Sequence, residues 1–123
     1  MKQIVLIADD EPSLRLLVSA TLTSDDYDVV EAKDGEEAWE LMSLHHPTLA
    51  ILDVQMPGMT GLELTAKLRT DALLHDIRVI LLSSKAQQVD VEAGVAAGAE
   101  RYLAKPFSPL ELVNVVEAAL GLA

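Results

Sequence analysis

The chain has 123 residues, half of them apolar and a quarter charged, which suits one globular domain and leaves no room for two. It contains no cysteine, so disulfides and thiolate metal sites are excluded. Twenty acids against nine Lys plus Arg give a net charge of −11, and only 3% of residues are aromatic; both argue against binding nucleic acid directly or docking on anionic lipid.

The first apolar run, Ile4 to Ala8, reads as a buried strand closed by Asp9-Asp10. It is too short for a secretory signal, and no later segment approaches a membrane span, so a cytoplasmic protein is expected. A helix is predicted over about 12–23, with Pro12 at its first position and Leu14, Leu17, Val18 and Leu22 on one face. Residues 28–32 form a short second strand. Asp34 and Glu37 have the spacing of an N-cap with its reciprocal Glu, opening a helix that carries Ala38, Leu41 and Met42. Trp39 on that helix reads as a packing residue. His45-His46 at its end lack a third ligand at metal spacing, and cations near a helix C-terminus are ordinary.

Residues 48–52 form the third strand, ending at Asp53, and Met56-Pro57-Gly58-Met59 is a loop. Thr60 and Glu63 repeat the capping-box spacing at the start of a third helix. The fourth strand, 77–82, runs into Ser83-Ser84. A helix over about 87–97 is predicted to be the weakest, because Gly94 lies inside it and Val89, Val91 and Val95 are β-branched. The fifth strand, 101–104, contains Tyr102 and leads into Lys105-Pro106. Ser108-Pro109-Leu110-Glu111 combines a cap, a first-position proline and a third-position Glu. The helix it opens offers a broad apolar arc, Leu112, Val113, Val115, Val116, Ala119 and Leu120, with Val115 at the border.

Strands alternating with helices imply right-handed crossovers and a doubly wound α/β fold, a parallel sheet covered on both faces. The near-continuous apolar character of strands one, three and four agrees, since such strands are buried on both sides. In open sheets of this kind ligands collect at the carboxyl ends of the strands. That rule gathers Asp9, Asp10, Asp53, Ser83 and Lys105 at one edge. Three carboxylates packed together repel one another until a dication arrives.

On these residues the chain resembles the receiver domain of two-component response regulators, over essentially its whole length. The motifs are Asp9-Asp10-Glu11-Pro12, Asp53 with Met56-Pro57-Gly58 and Gly61, Ser83-Ser84, and Lys105-Pro106-Phe107. Each alone is common; all of them in order at successive strand ends are specific. The resemblance implies a single receiver domain over residues 1–123, with a flavodoxin-like five-stranded sheet in the order 2-1-3-4-5 and five helices. It implies that Asp53 is the phosphoacceptor and that Mg²⁺ is held by Asp10, Asp53 and the backbone carbonyl of Gln55, with Asp9 acting mostly through water. Lys105 would pair with Asp53 and then with the phosphoryl oxygens, across a cis Lys105-Pro106 bond. Ser83 would be the switch hydroxyl, and Tyr102 would turn with it.

The implied partners are a sensor histidine kinase or histidine phosphotransfer protein and a downstream effector. The segment 87–97, the fifth strand and the last helix are the expected output surface, open also to a homodimer. Such a domain has no foreign substrate and catalyses only its own phosphorylation and hydrolysis. Gln55 and Lys85 are expected to flank the path of the hydrolytic water, with Lys85 altering the lifetime of the phosphoryl group. Two rivals fit less well. A Mg²⁺-dependent aspartyl-phosphate hydrolase of the haloacid-dehalogenase type needs a second acid where Gln55 stands, and a cap domain. A flavin-binding flavodoxin-like protein needs a Ser/Thr/Gly-rich phosphate loop where Asp9-Asp10-Glu11-Pro12 stands.

Overall fold

The structure is a computed structural model that describes residues 2–84, 92, 94 and 96–122. Strands β1 (Gln3–Ala8), β2 (Tyr27–Ala32), β3 (Leu49–Asp53), β4 (Arg78–Ser84) and β5 (Arg101–Lys105) form one sheet. All pairings are parallel and the order is β2-β1-β3-β4-β5, as the resemblance implied. Helices α1 (Pro12–Leu22), α2 (Gly35–His45), α3 (Gly61–Arg69) and α4 (Pro109–Ala119) connect and follow the strands. Four helices, rather than the expected five, are therefore defined among the described residues. The helix expected over 87–97 falls largely outside them; residues 92, 94, 96 and 97 are described and are helical.

Side chains alternate across the sheet with a period of two, so each inner strand feeds two cores. Leu6, Ala50, Leu52, Val79 and Leu81 face Met42 of α2 and Leu64 and Leu68 of α3. Val5, Ile7, Ile51, Ile80 and Leu82 face Val18 and Leu22 of α1 and Leu112 and Val116 of α4. This two-sided burial is what made strands one, three and four read as unbroken apolar runs.

The helix starts follow local chemistry. Both reciprocal capping boxes, Thr60 with Glu63 on α3 and Ser108 with Glu111 on α4, are formed. At α2 only half of the expected box forms. The Asp34 carboxylate accepts from the Glu37 N–H at 2.8 Å, but the Glu37 carboxylate reaches one residue further back, to the Lys33 N–H at 2.9 Å. Gly94 has a packing reason beyond low helix propensity: a Cβ there would collide with Leu81 Cδ1 of β4.

Strand ends set the geometry of the sheet's carboxyl edge. The fourth strand runs two residues further than the sequence predicts, so Ser83 and Ser84 are its last residues, in register with Ala104 and Lys105 of β5. Gly61 opens α3 directly beneath β3, where a Cβ would collide with the Asp53 carbonyl oxygen. A side chain there forces the helix off the strand end. Gly61→Ala is expected to destabilise the domain by about 1–3 kcal/mol in urea unfolding, the usual cost of overpacking against backbone.

Candidate functional site

Every residue that the sequence places at the carboxyl edge arrives there, carried by the ends of four strands. Asp9 and Asp10 follow β1, Asp53 ends β3, Ser83 and Ser84 end β4, and Lys105 ends β5. The strand order puts β3 between β1 and β4, so Asp53 stands at the centre of the group. A cleft of about 580 Å³ opens over it, lined by Asp10, Asp53, Gln55, Thr60, Ser84 and Lys105 together with Met56 and Pro57.

The Lys105 ammonium spans two acids. Its Nζ donates to Asp9 Oδ2 at 2.8 Å and to Asp53 Oδ2 at 3.1 Å. The remaining oxygens of these carboxylates are held by backbone: the Glu11 N–H donates to Asp9 Oδ1 at 2.9 Å, and the Gln55 N–H to Asp53 Oδ1 at 3.1 Å. Asp9 is wholly buried, Asp53 is 6% exposed, and Asp10 is exposed at the mouth. One carboxylate oxygen from each of Asp9, Asp10 and Asp53 lies within 4.8 Å of the others.

Burial, and then the neighbouring Asp9 charge, push the Asp53 carboxyl up to about 6, although the Lys105 ammonium and the Gln55 N–H pull the other way. For Lys105, burial works against the charged form, but the hydrogen bonds and charges of Asp9 and Asp53 outweigh it and its pKa is raised. Among the described residues the site therefore carries more negative charge than the Lys105 ammonium neutralises. A set of three carboxylates, hard oxygen donors gathered at one point, fits Mg²⁺, which binds through one or two carboxylates and keeps several waters.

Ser83 is buried and its Oγ donates to the Ser84 carbonyl at 3.0 Å. Tyr102 of β5 is in register with Leu81 of β4, and its side chain is half exposed. The Lys105-Pro106 peptide is cis, as the resemblance implied. Lys85 lies outside the described residues. His45 and His46 lie at the far end of α2 and belong to no group of possible metal ligands among the described residues. Trp39 is a packing residue: the Lys67 ammonium sits 4.1 Å from the centroid of its ring.

Two contributors were not legible beforehand. Thr60 lines the cleft, although the sequence marked it only as a helix cap. Arg15 reaches back from α1 to the Asp9 carbonyl at 2.6 Å. Its place one turn into α1 was visible, but no periodicity or motif names a backbone carbonyl as its target.

Comparison with known proteins agrees with this geometry. Residues 5–117 match the family model described as the response regulator receiver domain. Response regulator GtcR of Aneurinibacillus migulanus is 38% identical over 98% of this chain, which corresponds to 48% of GtcR. The chain spans about half the length of the curated relatives it matches. Among solved structures, the chemotaxis response regulator CheY4 of Vibrio cholerae is 32% identical with a TM-score of 0.89, over 97% of this chain and 99% of that one. The receiver domain of sensor histidine kinase PA1611 from Pseudomonas aeruginosa is 28% identical with a TM-score of 0.86, over 98% of this chain and 99% of that one. That structure has a magnesium ion coordinated in its active-site cleft.

Proposed function

The chain belongs to the response regulator receiver family, and from that premise we propose that Asp53 accepts a phosphoryl group from a phosphohistidine. The donor is a sensor histidine kinase or a histidine phosphotransfer protein. The observation that carries this reading is the Lys105 ammonium held between Asp9 and Asp53, at 2.8 and 3.1 Å, beside an open cleft that exposes Asp10. An Asp53 carboxylate oxygen attacks phosphorus, the phosphorus–nitrogen bond to the donor imidazole breaks, and an acyl phosphate forms. In a separate hydrolytic step water attacks the same phosphorus, the acyl-phosphate P–O bond breaks, and the carboxylate and inorganic phosphate are released.

Asp10, Asp53 and the Gln55 carbonyl are the proposed Mg²⁺ ligands, with Asp9 acting mostly through water. When bound, the ion supplies the positive charge that lets an anionic donor approach three carboxylates. Lys105 exchanges its Asp53 oxygen for a phosphoryl oxygen. Ser83 turns its hydroxyl from the Ser84 carbonyl toward the phosphoryl group, and Tyr102 leaves its half-exposed position as it does so. The domain then biases a pre-existing equilibrium at the surface formed by residues 87–97, β5 and α4, which meets an effector or a second copy.

The same reading places the protein in the cytoplasm. No helix among the described residues is long and apolar enough to cross a membrane. A hydrolase of the haloacid-dehalogenase type is disfavoured, because the residue lining the cleft two positions after Asp53 is Gln55.

Incubation with acetyl phosphate followed by intact-mass measurement tests the proposal. A gain of one phosphoryl group is expected, dependent on Mg²⁺ and removed by hydroxylamine, which cleaves acyl phosphates. No gain at saturating Mg²⁺, or a gain that persists equally in EDTA, would overturn it.

A further inference from the structure

The backbone of Asp9 is gripped on both sides from outside the acidic cluster. On one side the Asp9 N–H donates to the Ala32 carbonyl at the end of β2, at 3.1 Å. On the other, Arg15 Nη1 donates to the Asp9 carbonyl at 2.6 Å. That carbonyl belongs to the peptide unit whose nitrogen is Asp10's, so its direction sets where the Asp10 side chain starts. Arg15 is itself well held: its side chain is 17% exposed, and its Nε lies 3.4 Å from Glu31 Oε1 on β2. Glu31 is steadied in turn by the Ser19 hydroxyl of α1, which donates to Oε2 at 2.9 Å. The Arg15 N–H also closes the first turn of α1 on the Glu11 carbonyl at 3.2 Å.

We propose that Arg15 is a positioning residue for the metal site: by fixing the Asp9-Asp10 peptide between α1 and β2 it presents the Asp10 carboxylate in line with those of Asp9 and Asp53. The inference rests on the Mg²⁺ reading of the cleft. Asp10 needs this help because it is exposed, and none of the described residues donates a hydrogen bond to its carboxylate, whereas Asp9 and Asp53 each have Lys105 and a backbone N–H. Groups outside the ligand shell that orient the ligands commonly carry a large share of metal affinity.

Charge and positioning make opposite predictions for the same substitution. Arg15 is a cation near a cation site, so removing it would tighten Mg²⁺ binding if charge alone mattered. If Arg15 positions Asp10, removing it loosens binding despite the lost repulsion.

The test is a calorimetric titration of Mg²⁺ into the whole chain as the parent, as Arg15→Gln and as Arg15→Lys, with metal-free thermal unfolding of each recorded alongside. Arg15→Gln is expected to bind about tenfold more weakly. Arg15→Lys should recover part of the affinity, since an ammonium can reach the carbonyl but cannot keep both the Asp9 and the Glu31 contacts. Equal or tighter binding by Arg15→Gln overturns the inference. So does a lowered melting temperature with unchanged affinity, which is what a merely structural arginine would give. Should Arg15→Gln fail to unfold cooperatively, Arg15→Lys decides: its charge matches the parent's, so equal affinity overturns the proposal and weaker affinity supports it. A parent that binds no Mg²⁺ removes the metal reading, and this inference with it.

Discussion

Asp53→Asn is expected to take up no phosphoryl group and, at the same time, to be more stable than the parent at neutral pH. The first effect follows from losing the proposed phosphoacceptor, because an amide does not form the acyl phosphate. The second follows from linkage. Burial and the Asp9 charge raise the Asp53 carboxyl to about 6 in the folded protein, from an ordinary value of 3.8. The folded state therefore binds this proton more tightly than the unfolded state does. Its stabilising contribution is complete below about pH 4 and is lost as pH rises through about 6. Above that window the ionised Asp53 is a destabilising charge, costing on the order of 2–3 kcal/mol, and Asn removes it.

The amide forfeits part of the Lys105 contact, so the net gain expected for Asp53→Asn is about 1–3 kcal/mol near pH 7, shrinking toward zero near pH 4. Urea unfolding at the two pH values measures it. Saturating Mg²⁺ should stabilise the parent and have much less effect on the variant, because the variant lacks one of the three carboxylates. A variant less stable than the parent near pH 7 would mean that Lys105 already neutralises Asp53 in full.

Lys105→Met carries the opposite sign. Methionine keeps most of the aliphatic stem but leaves Asp9, wholly buried, and Asp53, nearly so, without their shared cation. Removing one partner from a buried ion pair strands the other charge, and a loss of about 3 kcal/mol or more is expected near neutral pH. The loss should shrink on acidification, as protons replace the missing ammonium on the carboxylates. It should also shrink on adding Mg²⁺, as a dication does the same. Unfolding curves at several pH values, with and without Mg²⁺, check both trends. A penalty independent of pH and of metal would assign Lys105 a packing role instead.

These two variants bracket one arrangement. Among the described residues the carboxyl edge holds more acid than base, and Lys105 bridges the two buried acids, Asp9 and Asp53. A site built from acids stores unfavourable charge, and under the proposed function that excess is what would couple phosphorylation to a rearrangement of its surroundings.

Much of this was legible in the chain itself. Strand positions followed from apolar runs of four to six residues, and helix starts from Pro12, from Thr60 with Glu63 and from Ser108 with Glu111, because capping acts within a single turn. The positions of Asp9, Asp53 and Lys105 at strand ends needed only the strand limits and the rule that ligands gather there. Tertiary structure alone decided the rest. That Lys105 bridges Asp9 and Asp53 requires β1, β3, β4 and β5 to lie side by side, and the residues involved are 96 and 52 positions apart in the chain. Ser83 and Ser84 belong to β4 because β5 pairs with them, and hydroxyl residues announce no strand by themselves. Gly94 makes room for Leu81, and Arg15 grips the Asp9 carbonyl. Periodicity and capping report a residue's own turn or strand. Contacts between elements depend on how faces meet across the sheet, and no local pattern encodes that meeting.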